Sequence, residues 1–164
     1  LYLPWFPVKN LKEAKDFYQE RYASIYQKEQ RYAYAICLKE NNLPIDYVNI
    51  DLDDSHDLGY GLKKEYWHQG IVSEAVEAVI QQAKKDNLCY LTATHDIKNN
   101  HSGNVMKKVG MHYCYSYKEQ WMPKNRPVIF RMYQINLDGK NGFIKNIGIN
   151  MNILLKKTYK GQVI

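Results

Sequence analysis

Cysteine is scarce in this chain. Three of its 164 residues are cysteines, Cys37, Cys89 and Cys114. An odd count with no C-x-x-C pair argues against a disulfide framework and against a zinc site. Unpaired thiols fit a reducing, cytoplasmic compartment. Long apolar runs are also missing. No stretch approaches the ~18 residues that a membrane helix needs, and no signal peptide is recognised. The five histidines show no H-x-x-x-H spacing, so no metal ligand set is expected. There is no P-loop, no G-x-G-x-x-G, no internal repeat and no low-complexity linker.

What the chain does have is a core and an excess of positive charge. Hydrophobic residues make up 45% of it, enough for one ordinary domain. Fifteen tyrosines supply rings that pack while keeping a polar tip. The formal net charge of +6 favours anionic partners such as phosphates or acidic substrates. The basic residues are scattered and form no dense stripe outside the tail from Lys140 to Lys160, so nucleic acid is not the expected partner.

Hydrophobic spacing gives the order of elements. Pro4 and Pro7 predict an extended lead-in. Asn10 is a candidate cap for a helix carrying Leu11, Ala14, Tyr18, Tyr22 and Ile25 on one face. Strands are predicted at Tyr32–Leu38, Ile45–Asp51 and Leu58–Leu62, with a turn at Glu40–Pro44 and an acidic loop at Asp51–Asp57. Gly59 and Gly61 weaken the third strand, which calls for a bulge or a close approach by another part of the chain. Val72, Ala75, Val76, Val79, Ile80 and Ala83 form the clearest helical stripe, ending near Asn87. A buried strand at Cys89–Thr94 follows. A short helix around Ser102–Val109 stops at Gly110. Two further strands, Met111–Tyr117 and Val128–Ile135, are expected to pair antiparallel. The result is a mixed α/β (α+β) fold, a mostly antiparallel sheet flanked by helices. The domain is expected over residues 1–137. Residues 138–164 have no clear assignment, and Ile149–Leu155 reads equally as strand or helical turn.

The junction from Gly59 to Ala75 carries the chemistry. A strand runs through a short loop into the first turn of a strong helix. That turn has free backbone N–H groups and the positive end of the helix dipole, and Gly70 permits close approach, so the arrangement suits a pyrophosphate. Lys63 and Lys64 are candidate sources of extra positive charge.

Two motifs in this region carry a family resemblance. Trp67-His-Gln-Gly70-Ile-Val72 resembles the acetyl-CoA loop Q/R-x-x-G-x-G/A of the GNAT superfamily. Gly59-Tyr-Gly-Leu through Glu74-Ala75 resembles its Rim-type branch, the relatives of ribosomal-protein-alanine N-acetyltransferases. That branch commonly reads G-Y-x-L and then Y-W-G-x-G-x-x-x-E-A, and His68 stands where it often has its first glycine. Asn99-Asn-His-Ser102-Gly-Asn-Val-Met-Lys-Lys108-Val-Gly110-Met111 is similar to the branch motif N-x-x-S-x-x-V-x-x-K-x-G-F/M. Lys9–Phe17 resembles the family's second helix.

The resemblance implies the GNAT acyl-CoA N-acyltransferase fold, without the family's usual first strand and helix. An exposed sheet edge would follow, to be covered by the tail or by a second copy in a homodimer. It implies acetyl-CoA as acetyl donor and a primary amine as acceptor, a protein N-terminus or a small molecule. The implied cofactor-binding residues are Gly61, Leu62, Gln69, Gly70, Ile71, Val72, Ser73, Asn99 and Ser102. A backbone N–H near Gly61 or Leu62 would face the thioester oxygen.

Many GNAT enzymes use a tyrosine at the position of Met106. Here the branch points instead to Ser102 as acid, a residue that equally reads as a helix cap. It points to Asp57 as base, with a solvated loop acid as the plainer reading and His56 as an alternative. His95 and His101 are read as incidental, and Glu74 as a complement to the helix dipole. Two other functions stay open. One is a catalytically inactive GNAT-fold binding module, favoured by Trp67, His68 and Val72. The other is a nucleic-acid-associated protein.

Overall fold

The computed structural model describes residues 2–3, 6–23, 25–28 and 32–142. The unassigned stretch at 149–155 lies outside them.

The first helix, α1 (Leu11–Tyr18), starts at Asn10. The Asn10 side chain accepts from the Glu13 N–H at 2.9 Å, and the Glu13 carboxylate accepts from the Lys9 N–H at 2.8 Å. The first bond satisfies one of the open N–H groups of the first turn, and the second ties the residue before the cap to it. The apolar spacing that predicted one helix to Ile25 instead spans three pieces. After Tyr18 the chain makes a π turn at Gln19–Ala23 and a 3-10 turn at Ile25–Gln27. No residue of α1 is buried, and Leu11 is 72% exposed. The helical period is present, but its apolar face is not core.

Strands β1 (Tyr32–Cys37), β2 (Pro44–Ile50) and β3 (Leu58–Tyr60) form one antiparallel sheet in the order β1-β2-β3. The β1–β2 register slips between Ile36 and Cys37. Asn42, at φ 56°, takes the left-handed turn that joins them. Among the described residues nothing pairs with the outer edge of β1. A groove of about 650 Å³ lies between that strand and α2, lined by Tyr34, Ile36 and Val79 among others.

Helix α2 (Ile71–Lys85) follows the stripe read from the sequence, with Ser73, Val76, Val79, Ile80 and Ala83 buried. Burying a side chain such as Val76 contributes about 2 kcal/mol. Asn87, at φ 61°, ends the helix. The Tyr32 hydroxyl donates to Asp86 at 2.6 Å, tying β1 to the end of α2.

The second sheet contains β4 (Tyr90–Asp96), β5 (His112–Trp121) and β6 (Arg126–Asn136), all antiparallel, in the order β4-β6-β5. Helix α3 (Asn100–Lys108) crosses between β4 and β5 and ends at Gly110, φ 87°. One face of both sheets meets α2 and α3 in the main core, through Val48, Ile50, Leu58, Leu91, Ala93, Met106 and Tyr133. Met106 is fully buried there. The other face of the second sheet holds a smaller cluster of Tyr117, Val128, Phe130 and Met132.

The two sheets touch through a single parallel bridge, Asp57 with Thr92, made by the Thr92 N–H donating to the His56 carbonyl at 3.1 Å. No ladder joins β3 to β4 beyond it among the described residues. Past this point the neighbouring strands leave their facing edges unpaired, and the candidate site lies there.

Candidate active site

The glycines of β3 are explained by β2. An added Cβ at Gly59 would lie 2.7 Å from the Asn49 side-chain oxygen. One at Gly61 would lie 2.7–2.9 Å from all three carboxyl atoms of Asp46. Both separations are far inside ordinary contact, so β2 side chains cross the strand where these glycines leave room. The ladder continues past Tyr60, with the Gly61 N–H donating to Tyr47 O at 3.0 Å and the Lys63 N–H to Ile45 O at 3.2 Å.

A cavity of about 500 Å³ opens where the sheets part. It is lined from β3 by Tyr60, Gly61 and Leu62, from the α2 junction by Gly70, Ile71, Val72 and Ser73, and from α3 by Asn99, Ser102 and Lys108. Eight of the residues proposed from the sequence thus share one concavity. Gln69 is not among the lining residues, and its side chain donates instead to the Glu65 carbonyl at 3.3 Å. Asp57 sits at the closed end of the split, at the bridge to Thr92.

Gly70 caps α2 in the left-handed region, φ 79°. The Glu74 N–H reaches back to the Gly70 carbonyl, which leaves the N–H groups of Ile71, Val72 and Ser73 without helical partners. His68 is also left-handed, φ 63°. That backbone explains why a glycine suits the same position elsewhere, and holding a histidine there costs about 1 kcal/mol. The His68 ring meets His101 edge-on at 5.0 Å between centroids, and Trp67 lies 5.9 Å from His101. The Trp67 indole N–H donates to Leu62 O at 2.7 Å, clamping the loop.

The cation beside Gly70 is Lys108, its Nζ 3.9 Å from a Cβ built there. Lys63, by contrast, turns its ammonium to the Pro44 carbonyl at 3.4 Å. Lys108 stands in the K-x-G part of the second motif, which was the available signal for it.

Ser102 is not the helix cap. Asn99 takes that role, its Oδ1 accepting from the Ser102 N–H at 3.4 Å. The Ser102 hydroxyl donates to the Tyr60 oxygen at 3.0 Å, and the Tyr60 hydroxyl donates to the Ser102 carbonyl at 2.8 Å. Burial holds the Tyr60 phenol well above its ordinary value, so it stays protonated. Tyr60 was not singled out as a site residue from the sequence, because its partner lies 42 positions away.

Asp57 is the most perturbed carboxylate. Burial, then the charges of Asp53 and Asp51, push it up to about 7. Asp57 is half-buried beside the Thr92 bridge rather than fully solvated. The neighbouring His56 ring lies against Tyr90, 4.9 Å between centroids. His95 is buried beneath α3, its Nδ1 2.8 Å from Asp96 O and its Nε2 against Gly103.

Residues 2–112 match the sequence profile of the acetyltransferase (GNAT) domain family. No match to a curated protein sequence was found. Solved structures share the fold at low identity. An acetyltransferase of the GNAT family from Bacillus anthracis is 20% identical, with a TM-score of 0.68, over 84% of this chain and 80% of that one. The ribosomal-protein-S5-alanine acetyltransferase from Vibrio fischeri is 20% identical, TM-score 0.67, over 85% and 81%. RimL, a ribosomal L7/L12 alpha-N-protein acetyltransferase solved with coenzyme A, is 16% identical, TM-score 0.69, over 81% and 76%.

Proposed function

The chain belongs to the acetyltransferase (GNAT) family, and from that premise we propose that it transfers an acetyl group from acetyl-CoA directly to a primary amine. The family uses acetyl-CoA and acetylates amines. The observation that carries the reading for this chain is the split between β3 and β4, with the Gly70 cap and Lys108 at its mouth and Asp57 at its closed end.

The donor set suits the cofactor. The free N–H groups of Ile71, Val72 and Ser73, with Lys108, would hold its pyrophosphate. The backbone of Gly61 and Leu62 would line its pantetheine arm, with the Leu62 N–H left to face the thioester oxygen, since the Gly61 N–H is given to Tyr47 O and the Leu62 carbonyl to Trp67. When bound, acetyl-CoA supplies an acetyl group activated as a thioester. Asp57, with its carboxyl near neutrality, takes the proton from the attacking ammonium. A base poised near the working pH is ionised often enough to act and basic enough to hold the proton.

Tyr60 and Ser102 form the proton-donating pair on the other side of the split. The Tyr60 phenol stays neutral, and because the Ser102 hydroxyl donates to its oxygen, a proton that Tyr60 gives to the leaving thiolate would be replaced from Ser102, so both residues are assigned as acid. Asn99 acts by fixing the first turn of α3 and with it Ser102. The domain is assigned to residues 1–137. The unpaired thiols of Cys37, Cys89 and Cys114 support a cytoplasmic location. The outer edge of β1, with which nothing pairs among the described residues, supports a homodimer.

Calorimetric titration of acetyl-CoA into the chain, followed by release of free CoA thiol on adding an amine, tests this. One-to-one binding and amine-dependent thiol release are expected. A folded chain that binds no acetyl-CoA sinks the proposal.

A further inference from the structure

His95 is a buried titratable group that the acetyl transfer described above does not use. It stands in β4 at 4% exposure. Its Nδ1 lies 2.8 Å from the Asp96 carbonyl. A carbonyl only accepts, so Nδ1 carries the proton of the neutral ring. Nε2 is then a bare lone pair, buried with no hydrogen-bond partner among the described residues. A buried polar atom left unpaired costs stability, and its presence calls for a reason.

Nε2 faces the first turn of α3. A Cβ built on Gly103 would stand 2.6 Å from Nε2 and 2.9 Å from Cε1, so a glycine is what lets the helix rest on the ring. The Tyr133 ring from β6 lies against the imidazole, 5.6 Å between centroids. Gly103 directly follows Ser102, so the seat of the helix is next to the residue assigned as acid.

The seat is sensitive to one proton. Burial above all holds the imidazole below its ordinary value. Arg131 from β6 and Lys107 from α3 push the same way, and the Asp96 and Asn99 backbone carbonyls oppose them. A proton arriving at Nε2 has the Asn99 carbonyl as its acceptor. That carbonyl already takes the Gly103 N–H in a long bond of 3.4 Å. Competition for it loosens the turn from Asn99 to Gly103, and Ser102 lies inside that turn.

We propose that His95 is a positioning residue for the Ser102–Tyr60 pair: its neutral ring seats the first turn of α3, and a proton on Nε2 unseats it. The effect on rate rests on the acid assignment above. The contacts at stake are the Ser102 hydroxyl to the Tyr60 oxygen at 3.0 Å and the Tyr60 hydroxyl to the Ser102 carbonyl at 2.8 Å. A displacement of about 1 Å takes both beyond hydrogen-bond distance.

The test is a pH titration of the full chain, labelled with nitrogen-15, by nuclear magnetic resonance. Wild type is compared with His95→Asn, which keeps a donor for the Asp96 carbonyl and takes up no proton. In the wild type the His95 ring and the amides of Ser102 and Gly103 are expected to shift with one shared midpoint. In His95→Asn those amide shifts are expected to vanish. His95→Gln is a second variant with the same expectation, so the result does not hang on one substitution folding. Amides that ignore the His95 midpoint, or that keep their titration in the variants, overturn the proposal. A kinetic arm follows kcat for alaninamide at saturating acetyl-CoA. Asp57 alone gives an acid limb of about tenfold per pH unit, and a second group steepens it to about a hundredfold per unit below pH ~6. The steep limb is expected in the wild type, and the shallower one in His95→Asn and in Ser102→Ala. A limb that stays steep in Ser102→Ala shows His95 acting without Ser102 and overturns the proposal. The resonance arm needs no acceptor, so a chain that binds no acetyl-CoA refutes the acetyltransferase reading while the seat of α3 is still decided by the amide shifts.

Discussion

Asp57→Asn separates function from stability in a way that few substitutions do. In the folded chain the carboxyl is pushed from 3.8 up to about 7 by burial and by Asp53 and Asp51. In the unfolded chain it returns to the ordinary carboxylate range. The folded state therefore holds this proton more tightly than the unfolded state does. Its stabilising contribution is full below pH ~4, falls as pH rises between ~4 and ~7, and is lost above ~7. A shift of about three units at ~1.4 kcal/mol each gives a folded-state penalty of about 4 kcal/mol at pH 8, an upper bound because side chains and water relax around the charge. Replacing the carboxylate by an amide removes that penalty. Denaturant unfolding at pH 8 is expected to show Asp57→Asn more stable than the wild type by about 1–4 kcal/mol, with the gain absent at pH 4. The same substitution should lower kcat/KM by 10²–10⁴-fold, the usual worth of a general base. It should also remove the rise through pH ~7, below which the wild-type rate falls about tenfold per unit. A variant that keeps the wild-type pH profile, or one that is destabilised equally at pH 4 and pH 8, would falsify the assignment of Asp57 as a buried base.

Three more outcomes test the rest of the site. Gly70→Asp should lower acetyl-CoA affinity at least tenfold by calorimetry, since it puts a side chain at φ 79° and a negative charge at the mouth of α2. Lys108→Ala should weaken acetyl-CoA binding about 3–10-fold and flatten its dependence on salt, measured by titration at two ionic strengths. Gly103→Ala would put a methyl group 2.6 Å from His95 Nε2, so it should cost about 1–3 kcal/mol in chemical unfolding. The cost should shrink when His95→Ala is added, and additive costs in the double variant would show that the two residues do not press on each other.

Helix α2, the stop at Gly110 and the two motifs around Gly70 and Ser102 were all legible in the sequence, because each depends on local spacing or local backbone. A 3.6-residue stripe and a glycine past a helix end can be read within one turn of chain. The same period misled at α1, where Leu11 and Tyr18 keep helical spacing yet remain exposed. Periodicity reports a face and is silent on what covers it. The left-handed backbone at His68 was foreshadowed only by its departure from a glycine position.

The chemistry was decided in three dimensions. Asp46 reaches Gly61 because β2 and β3 pair antiparallel in one register, and Tyr60 reaches Ser102 because α3 folds back over the split. Asp57 departs from an ordinary loop acid because it stands half-buried beside the bridge to Thr92, and no feature of the Asp51–Asp57 sequence predicts that placement. Contacts across 42 residues and the dielectric around a carboxyl are properties of packing. The chain alone determined where the glycine-capped first turn of α2 would stand. Only the tertiary structure decided which hydroxyls and carboxylates face it.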